Sequence, residues 1–286
     1  MSPNPNNITV RRASTQDYSK LSNLISFEYY LHRHLDWQNT LSWLGKQPFW
    51  LAEKNEIIQA AFACPADPPD IHWIRLFVSN ATFPPEKAWE ILLNAALNDL
   101  AQEKTAMLAS LAFQDWYKNL LEQSGFRTLQ SIVVLYWNGV FPSVQKMPTH
   151  FFIRPMLPED LDQVVQLDHD SFEPQWRNSL EALIASYEQS DLALVLEHDE
   201  EISGYLISTA TYFTAHLARI AVKPNFQRMN LGSNLVAYFL QHCQKKKYDQ
   251  VSVNTQNNNF SSLHLYSKMN FTLSDESYPV FILPKD

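Results

Sequence analysis

The stretch Ala221-Val222-Lys223-Pro224-Asn225-Phe226-Gln227-Arg228-Met229-Asn230-Leu231-Gly232-Ser233 carries the residue types and spacing most suited to chemistry in this chain. Ala218 to Val222 is apolar and β-rich, and Pro224 stops a strand by removing a ladder donor. Gln227 to Gly232 has no apolar alternation, and Leu231, Leu235, Val236, Phe239 and Leu240 then fall at helical spacing. A polar turn that opens a helix presents backbone N–H groups without intrahelical partners, at the positive end of the helix dipole. That is a place for an anion, most often a phosphate. Gly232 is one of five glycines in 286 residues, and a residue without Cβ lets a bulky anion approach the backbone. The plain alternative is a strand–helix connection with a tolerated glycine.

Such a turn must be held between a sheet and a helix, and the chain shows that plan twice. Ile8 to Ala13 reads as a strand before the turn Thr15-Gln16-Asp17-Tyr18 and an amphipathic run through Leu21, Leu24 and Ile25. Phe151 to Pro155 repeats this before Pro158-Glu159-Asp160-Leu161, Val164, Val165 and Leu167. The halves also end alike. Trp116 to Phe126 is a helix closed by Gly125, and Leu263 to Phe271 is a helix closed by Asn270, the next best residue for a left-handed position. A strand follows each, Ser131 to Trp137 and Tyr278 to Leu283. Between these ends the second half predicts a helix over 179–187, strands over 192–197, 202–209 and 215–222, a helix over 231–246, a strand over 250–253 and a helix over 261–268. The order gives a mixed, mostly antiparallel sheet with helices on both faces, an α/β (α+β) class. A repeat of this length predicts duplicated domains, 1–140 and 150–286, joined by a linker over 141–149 that holds Pro142 and Pro148.

Composition narrows the function. Apolar residues make up 45% of the chain, enough for real cores. Met1 to Asn7 is polar, with no apolar run after it, so no signal peptide and no membrane span are expected. Cys64 and Cys243 are far apart and read as two buried thiols of a reducing, cytoplasmic compartment. No Cys/His spacing suggests a metal site, and none is expected. The net charge is −8, and from Glu159 to Glu201 thirteen acidic residues face only Arg177. That argues against a nucleic-acid surface and would favour a cationic partner such as an amine. The plain alternative is a set of solvated helix faces.

Three motifs together resemble the GNAT (GCN5-related N-acetyltransferase) superfamily over the second half: Val222-x-Pro224-x-x-Gln227-Arg228-x-Asn230-x-Gly232, then Asn259, then Leu265-Tyr266-Ser267-Lys268-Met269-Asn270-Phe271. The resemblance implies an acetyl-CoA-dependent N-acetyltransferase. The backbone of Gln227, Arg228, Met229, Asn230, Leu231, Gly232 and Ser233 would then hold the pyrophosphate of acetyl-CoA. Ile220, Ala221 and Val222 would run beside the pantetheine, with Asn259 near the same arm. The family more often has glycine or alanine where this chain has Asn230, and asparagine tolerates the positive φ such a turn needs. Tyr266 matches the tyrosine that many members use as general acid on the departing thiolate; the other reading is a core aromatic. The base stays open. Members similar to ribosomal-protein alanine acetyltransferases place a glutamate where this chain has Asn254, which takes no proton. Glu173, in a segment like that subgroup's Ser-Phe-x-x-Pro-Trp region, and His216 are the candidates, and His216 also reads as a structural histidine.

The first half resembles a worn copy. Its turn reads Val78-Ser79-Asn80-Ala81-Thr82-Phe83-Pro84-Pro85-Glu86, without glycine and with two prolines that remove amides. It is expected not to bind CoA. Seven of the eight tryptophans lie there, which fits a core or an aromatic face for the second domain or its acceptor cleft. The expected partner is a small-molecule or peptide amine, with no nucleic acid and no membrane, and the protein a monomer or homodimer. Two other classes stay open: a non-catalytic acyl-CoA sensor or regulator, and a partner- or toxin-binding scaffold.

Overall fold

The structure, a computed structural model, describes residues 8–69, 71–103 and 107–284. Met1 to Asn7, read above as a polar start, lie outside the described residues. The chain runs through β1 (Thr9–Arg12), α1 (Tyr18–Phe27), β2 (Tyr30–Arg33), β3 (Phe49–Lys54), β4 (Ile57–Ala63), β5 (Ile71–Trp73), β6 (Leu76–Ser79), α2 (Pro85–Leu100), β7 (Met107–Leu111), α3 (Asp115–Gln123) and β8 (Arg127–Trp137). It continues through β9 (Phe151–Pro155), α4 (Leu161–Ser171), α5 (Leu180–Glu188), β10 (Leu192–His198), β11 (Glu201–Ala210), β12 (Thr214–Val222), α6 (Leu231–Lys246), β13 (Gln250–Gln256), α7 (Phe260–Lys268) and β14 (Phe271–Leu283). None of the helices among the described residues is long and apolar enough to cross a membrane.

The chain forms two compact units, Met1–Leu129 with Pro279–Asp286, and Gln130–Tyr278. In the first, β1, β3, β4, β6 and β2 form an antiparallel sheet in that order, and β5 pairs in parallel with β7. In the second, the order is β14-β8-β13-β12-β11-β10-β9, with β12–β13 parallel and the pairs β8–β13, β12–β11, β11–β10 and β10–β9 antiparallel. The expected division at 141–149 is not where the units divide. The first half's last strand, β8, lends residues 130–137 to the second unit, where Tyr136 pairs with Ser252. The second half's last strand, β14, gives Val280–Leu283 to the first unit against Leu108–Leu111. Residues 138–150 belong to the second unit, with Val144 and Met147 packed on its core.

The duplication carries a shared ion-pair device. Arg11 on β1 clamps Asp17 with two bonds of 2.9 and 2.7 Å and Glu53 on β3 with bonds of 2.8 and 2.6 Å. Arg154 on β9 clamps Asp160 at 2.7 and 2.9 Å and Glu197 on β10 at 2.6 Å. Each aspartate also accepts an N–H three residues upstream, from Ser14 and Leu157, and so fixes the start of its helix. The Arg11 guanidinium holds the Asp17 carboxyl down at about 2. A folded-state pKa below the unfolded one adds stability above the unfolded pKa, and this is lost as pH falls through the folded one. Asp17→Asn should therefore cost about 1–2 kcal/mol at pH 7, allowing for a one-third-exposed Arg11. It should also flatten the acid limb between about pH 4 and 2, read by denaturant melts across pH.

The tryptophans of the first unit are largely its own core. Trp43, Trp73 and Trp89 are buried, and Trp89 packs edge-on against Phe62, Phe77 and Tyr117. Core demand explains these without an aromatic docking face.

Candidate active site

β12 has two different neighbours along its length. Thr214–Leu217 pairs in parallel with Gln250–Val253, and among the described residues no strand pairs with β12 on that side beyond Leu217. On the other side Gly204 faces Val222 and Leu206 faces Ile220. Lys223 N–H donates to Ser203 O at 2.8 Å, which makes that pair hydrogen-bonded. By antiparallel alternation the N–H and C=O of Ile220 and Val222 then point away from β11, into the opening. Ala221, between them, faces β11. This is a strand edge whose backbone groups have no strand partner among the described residues, with Val222 O accepting Gln227 Nε2.

Unit 1 builds the same place and closes it. Its β5 pairs in parallel with β7, as the start of β12 does with β13, and β6 then continues along β4. Here Asn80 N–H bonds Gln59 O, so the edge groups of Phe77 and Ser79 point outward. β2 occupies that edge, with Tyr30 opposite Ser79 and His32 opposite Phe77.

Beyond the open edge, Val222 is followed by a 3-10 turn, Pro224–Phe226, and by α6. Arg228 and Asn230 both take left-handed backbone, at φ 64° and 61°. Asn230 is the N-cap of α6, so Leu231, Gly232 and Ser233 supply first-turn N–H groups without intrahelical acceptors. Gln227 bonds back to Val222 O at 3.2 Å. Met229 is exposed, whereas Leu231 and Ser233 are buried at the base of α6. A Cβ on Gly232 would meet the Leu265 side chain, Cδ2 at 3.4 Å and Cδ1 at 3.9 Å, ordinary contacts. Gly232→Ala is expected to keep or raise the melting temperature, because alanine is the better helix residue by about 1 kcal/mol. A thermal melt reads it.

α7 brings the second motif to this turn. Lys268 Nζ donates to Asn230 Oδ1 at 2.9 Å, placing a cation beside the N-cap. Asn230 Nδ2 in turn donates to Gln145 Oε1 at 2.8 Å, and Asn234 Nδ2 to Gln145 O at 3.2 Å. Asn259 caps α7: its Oδ1 accepts Ser262 N–H at 3.1 Å, and its Nδ2 reaches Gln256 Oε1 at 3.3 Å. Tyr266 is buried against Phe271, with ring centroids 5.8 Å apart. Burial pushes its phenol pKa up, so the hydroxyl stays protonated at neutral pH.

The two candidate bases come from the opposite sheet face. Leu217, Val251 and Val253 pack with α6, so by alternation His216, Ser252 and Asn254 face the α4–α5 side. His216 Nδ1 shares a 2.9 Å hydrogen bond with Ser252 Oγ, and burial lowers its pKa, leaving a neutral imidazole. Glu173 is exposed between α4 and α5 and accepts Gln175 Nε2 at 2.7 Å. Each candidate thus has its own partner. The acidic stretch from Glu159 to Glu201 is partly structural, since Asp160, Asp168 and Glu197 are tied to arginines.

Sequence reading missed Gln145, Lys268 as a neighbour of Asn230, and a buried group formed by Asp168, Tyr205 and Arg219. Lys268 lies inside a motif already singled out, three residues on from Leu265, and that i,i+3 spacing was the available signal. Nothing local marks Gln145 or joins the other three, which come from α4, β11 and β12. Among the described residues no group of three or more His, Cys, Asp or Glu stands close enough to hold a metal ion.

Residues 161–271 match the acetyltransferase (GNAT) family. The chain is 28% identical over 128 residues to a Bacillus subtilis (strain 168) protein provisionally named a ribosomal protein bS18-alanine N-acetyltransferase, covering 43% of this chain and 81% of that protein. It is 26% identical over 153 residues to the spore coat polysaccharide biosynthesis protein SpsD of the same organism, covering 49% of this chain and 53% of SpsD. The match to SpsD thus spans about half of that protein's length. Among solved structures, a GCN5-related N-acetyltransferase from Sphaerobacter thermophilus shares the fold at a TM-score of 0.62 and 14% identity, covering 97% of this chain and 96% of the other. A tandem GNAT protein from the clavulanic acid biosynthesis pathway does so at 0.62 and 11%, covering 98% and 100%.

Proposed function

We propose that the chain, whose residues 161–271 match the acetyltransferase (GNAT) family, is an acetyl-CoA-dependent N-acetyltransferase whose second unit transfers an acetyl group to a primary amine of a small molecule or peptide. Acetyl-CoA supplies the activated thioester. Supporting this reading is one juxtaposition: the open edge at Ile220 and Val222 leads into a left-handed turn and the N-terminus of α6, with Lys268 beside it. Amide edge, anion cradle and cation follow one another as pantetheine and pyrophosphate do in CoA. The donor set fits the group: Gln227, Arg228, Met229, Asn230, Leu231, Gly232 and Ser233 for the pyrophosphate, and Ile220, Ala221 and Val222 for the arm. Asn259 shapes the start of α7 next to it.

For transfer, the amine must be neutral when it attacks the thioester carbon, and the sulfur must leave as a thiol. Tyr266, kept protonated by burial, gives its proton to the sulfur. Neutral His216 or exposed Glu173 takes the proton of the amine, directly or through water. Glu173 and its acidic neighbours favour a cationic acceptor over a neutral or acidic one. The buried thiols of Cys64 and Cys243 suit a reducing, cytoplasmic setting.

Unit 1 is, on this reading, a GNAT-like copy that does not bind CoA. Its turn has two prolines and no glycine, and its own β2 takes the backbone groups that a pantetheine would need. A calorimetric titration with acetyl-CoA tests this: one equivalent per chain is expected, and two equivalents would contradict it. Absence of binding would leave the scaffold reading. A non-catalytic acyl-CoA sensor is the second reading, motivated by Asn254 where the related subgroup has glutamate. It predicts binding without amine-dependent thiol release.

A further inference from the structure

Asp168 is wholly buried at the end of α4 and carries four hydrogen bonds. Its Oδ2 accepts from Tyr205 Oη at 2.5 Å and from Arg219 Nε and Nη2 at 2.8 and 2.6 Å. Its Oδ1 accepts the backbone N–H of Asn178 at 2.8 Å. Arg219 reaches further: Nη2 also donates to Trp176 O at 2.6 Å, and the guanidinium lies 3.6 Å from the centroid of the Phe172 ring. The segment from Phe172 to Asn178 is thus held at its start, near its middle and at its end by one buried charge pair. Arg177 Nε donates to Phe172 O at 3.1 Å, and His169 Nε2 shares a 3.0 Å bond with Asn178 O. This is far more order than a connection of this length between two helices needs.

The position of Arg219 gives that order a use. It is the second residue beyond Leu217, where β12 loses β13 as a neighbour, and it shares with His216 and Asn254 the sheet face opposite α6. The edge groups of Ile220 and the clamp on Trp176 therefore start from adjacent residues of one strand. We propose that Arg219, with Asp168 and Phe172, is a positioning device that fixes the Phe172–Asn178 segment as the wall against which a cationic amine acceptor docks. It acts on the acceptor and not on CoA. The inference rests on the N-acetyltransferase reading above. Arginine is required because its planar fork serves a carboxylate and a carbonyl at once while its face stacks on a ring.

Arg219→Lys keeps a positive charge against Asp168 but has one ammonium in place of the fork, and Phe172→Ala removes the stacked ring while keeping both members of the Arg219–Asp168 ion pair. In both variants KM for the amine is expected to rise about tenfold or more, since small displacements of a positioning group cost up to about a hundredfold. Acetyl-CoA affinity, measured by calorimetry without amine, should stay within about twofold. Hydrogen exchange at the Asn178 amide should quicken in both. Unchanged amine KM in both folded variants overturns the proposal, and so does a matching loss of acetyl-CoA affinity, which would make the network a general scaffold. If the wild type acetylates no amine at all, the enzyme reading fails and takes the proposal with it, an outcome separate from unchanged KM in an active enzyme.

Discussion

Tyr266→Phe is expected to lower kcat for amine acetylation by about 10²–10³-fold, while acetyl-CoA affinity stays within about threefold. The change removes one oxygen from a side chain that is 3% exposed and keeps the ring that packs on Phe271. Packing is therefore preserved, and any effect reports the hydroxyl. In the apolar surroundings of the α6–α7 core the phenol stays protonated, which a proton donor to a departing thiolate requires. Steady-state kinetics with acetyl-CoA and the best amine, paired with calorimetry, separate the two quantities. A variant with wild-type kcat would assign Tyr266 to packing alone.

Asn230→Asp is expected to weaken acetyl-CoA binding by about a hundredfold with no loss of melting temperature. Aspartate tolerates the left-handed backbone at φ 61° almost as well as asparagine. It loses the exposed Nδ2–Gln145 Oε1 bond of 2.8 Å, and its charge at the N-cap suits the helix dipole and offsets that loss. Its carboxylate would keep the bond to Lys268 and partly neutralise that cation. It would also stand where a diphosphate docks, and like charges about 4 Å apart near a protein surface repel by up to about 4 kcal/mol. Net of Lys268, about 2–3 kcal/mol remains, which is the hundredfold. An unchanged dissociation constant would place the CoA diphosphate somewhere other than this turn.

What the sequence could reveal was local. α6 begins at Leu231 and ends at Lys246 as its spacing implied, and the helix ends marked by Gly125 and Asn270 do take left-handed backbone, at φ 83° and 63°. Asn230 was legible for the same reason: a residue type with few rivals at a left-handed position. Pairing choices were not legible. Ser131 to Trp137 reads as a strand, but nothing in its alternation says that it pairs with β13. The last strand begins at Phe271, well before Tyr278, because pairing overrides the weak β-propensity of Ser274-Asp275-Glu276. β2 is similarly silent: four residues, Tyr30 to Arg33, close a sheet edge that only the β4–β6 register defines. Within the candidate site, the turn and Tyr266 stand out in the sequence as motifs, whereas Asp168, Tyr205 and Arg219 meet only through long-range packing. Glu53 and Glu197 are of this kind too, each more than forty residues from the arginine it serves.

Thiol release from acetyl-CoA across a panel of primary amines, with the acetylated product confirmed by mass, tests the central claim most directly. Amine-dependent release that is lost in Asn230→Asp, and strongly reduced in Tyr266→Phe, is the expected result, with cationic amines turned over faster than neutral or acidic acceptors. A wild-type protein that binds acetyl-CoA but releases thiol with no amine would contradict it.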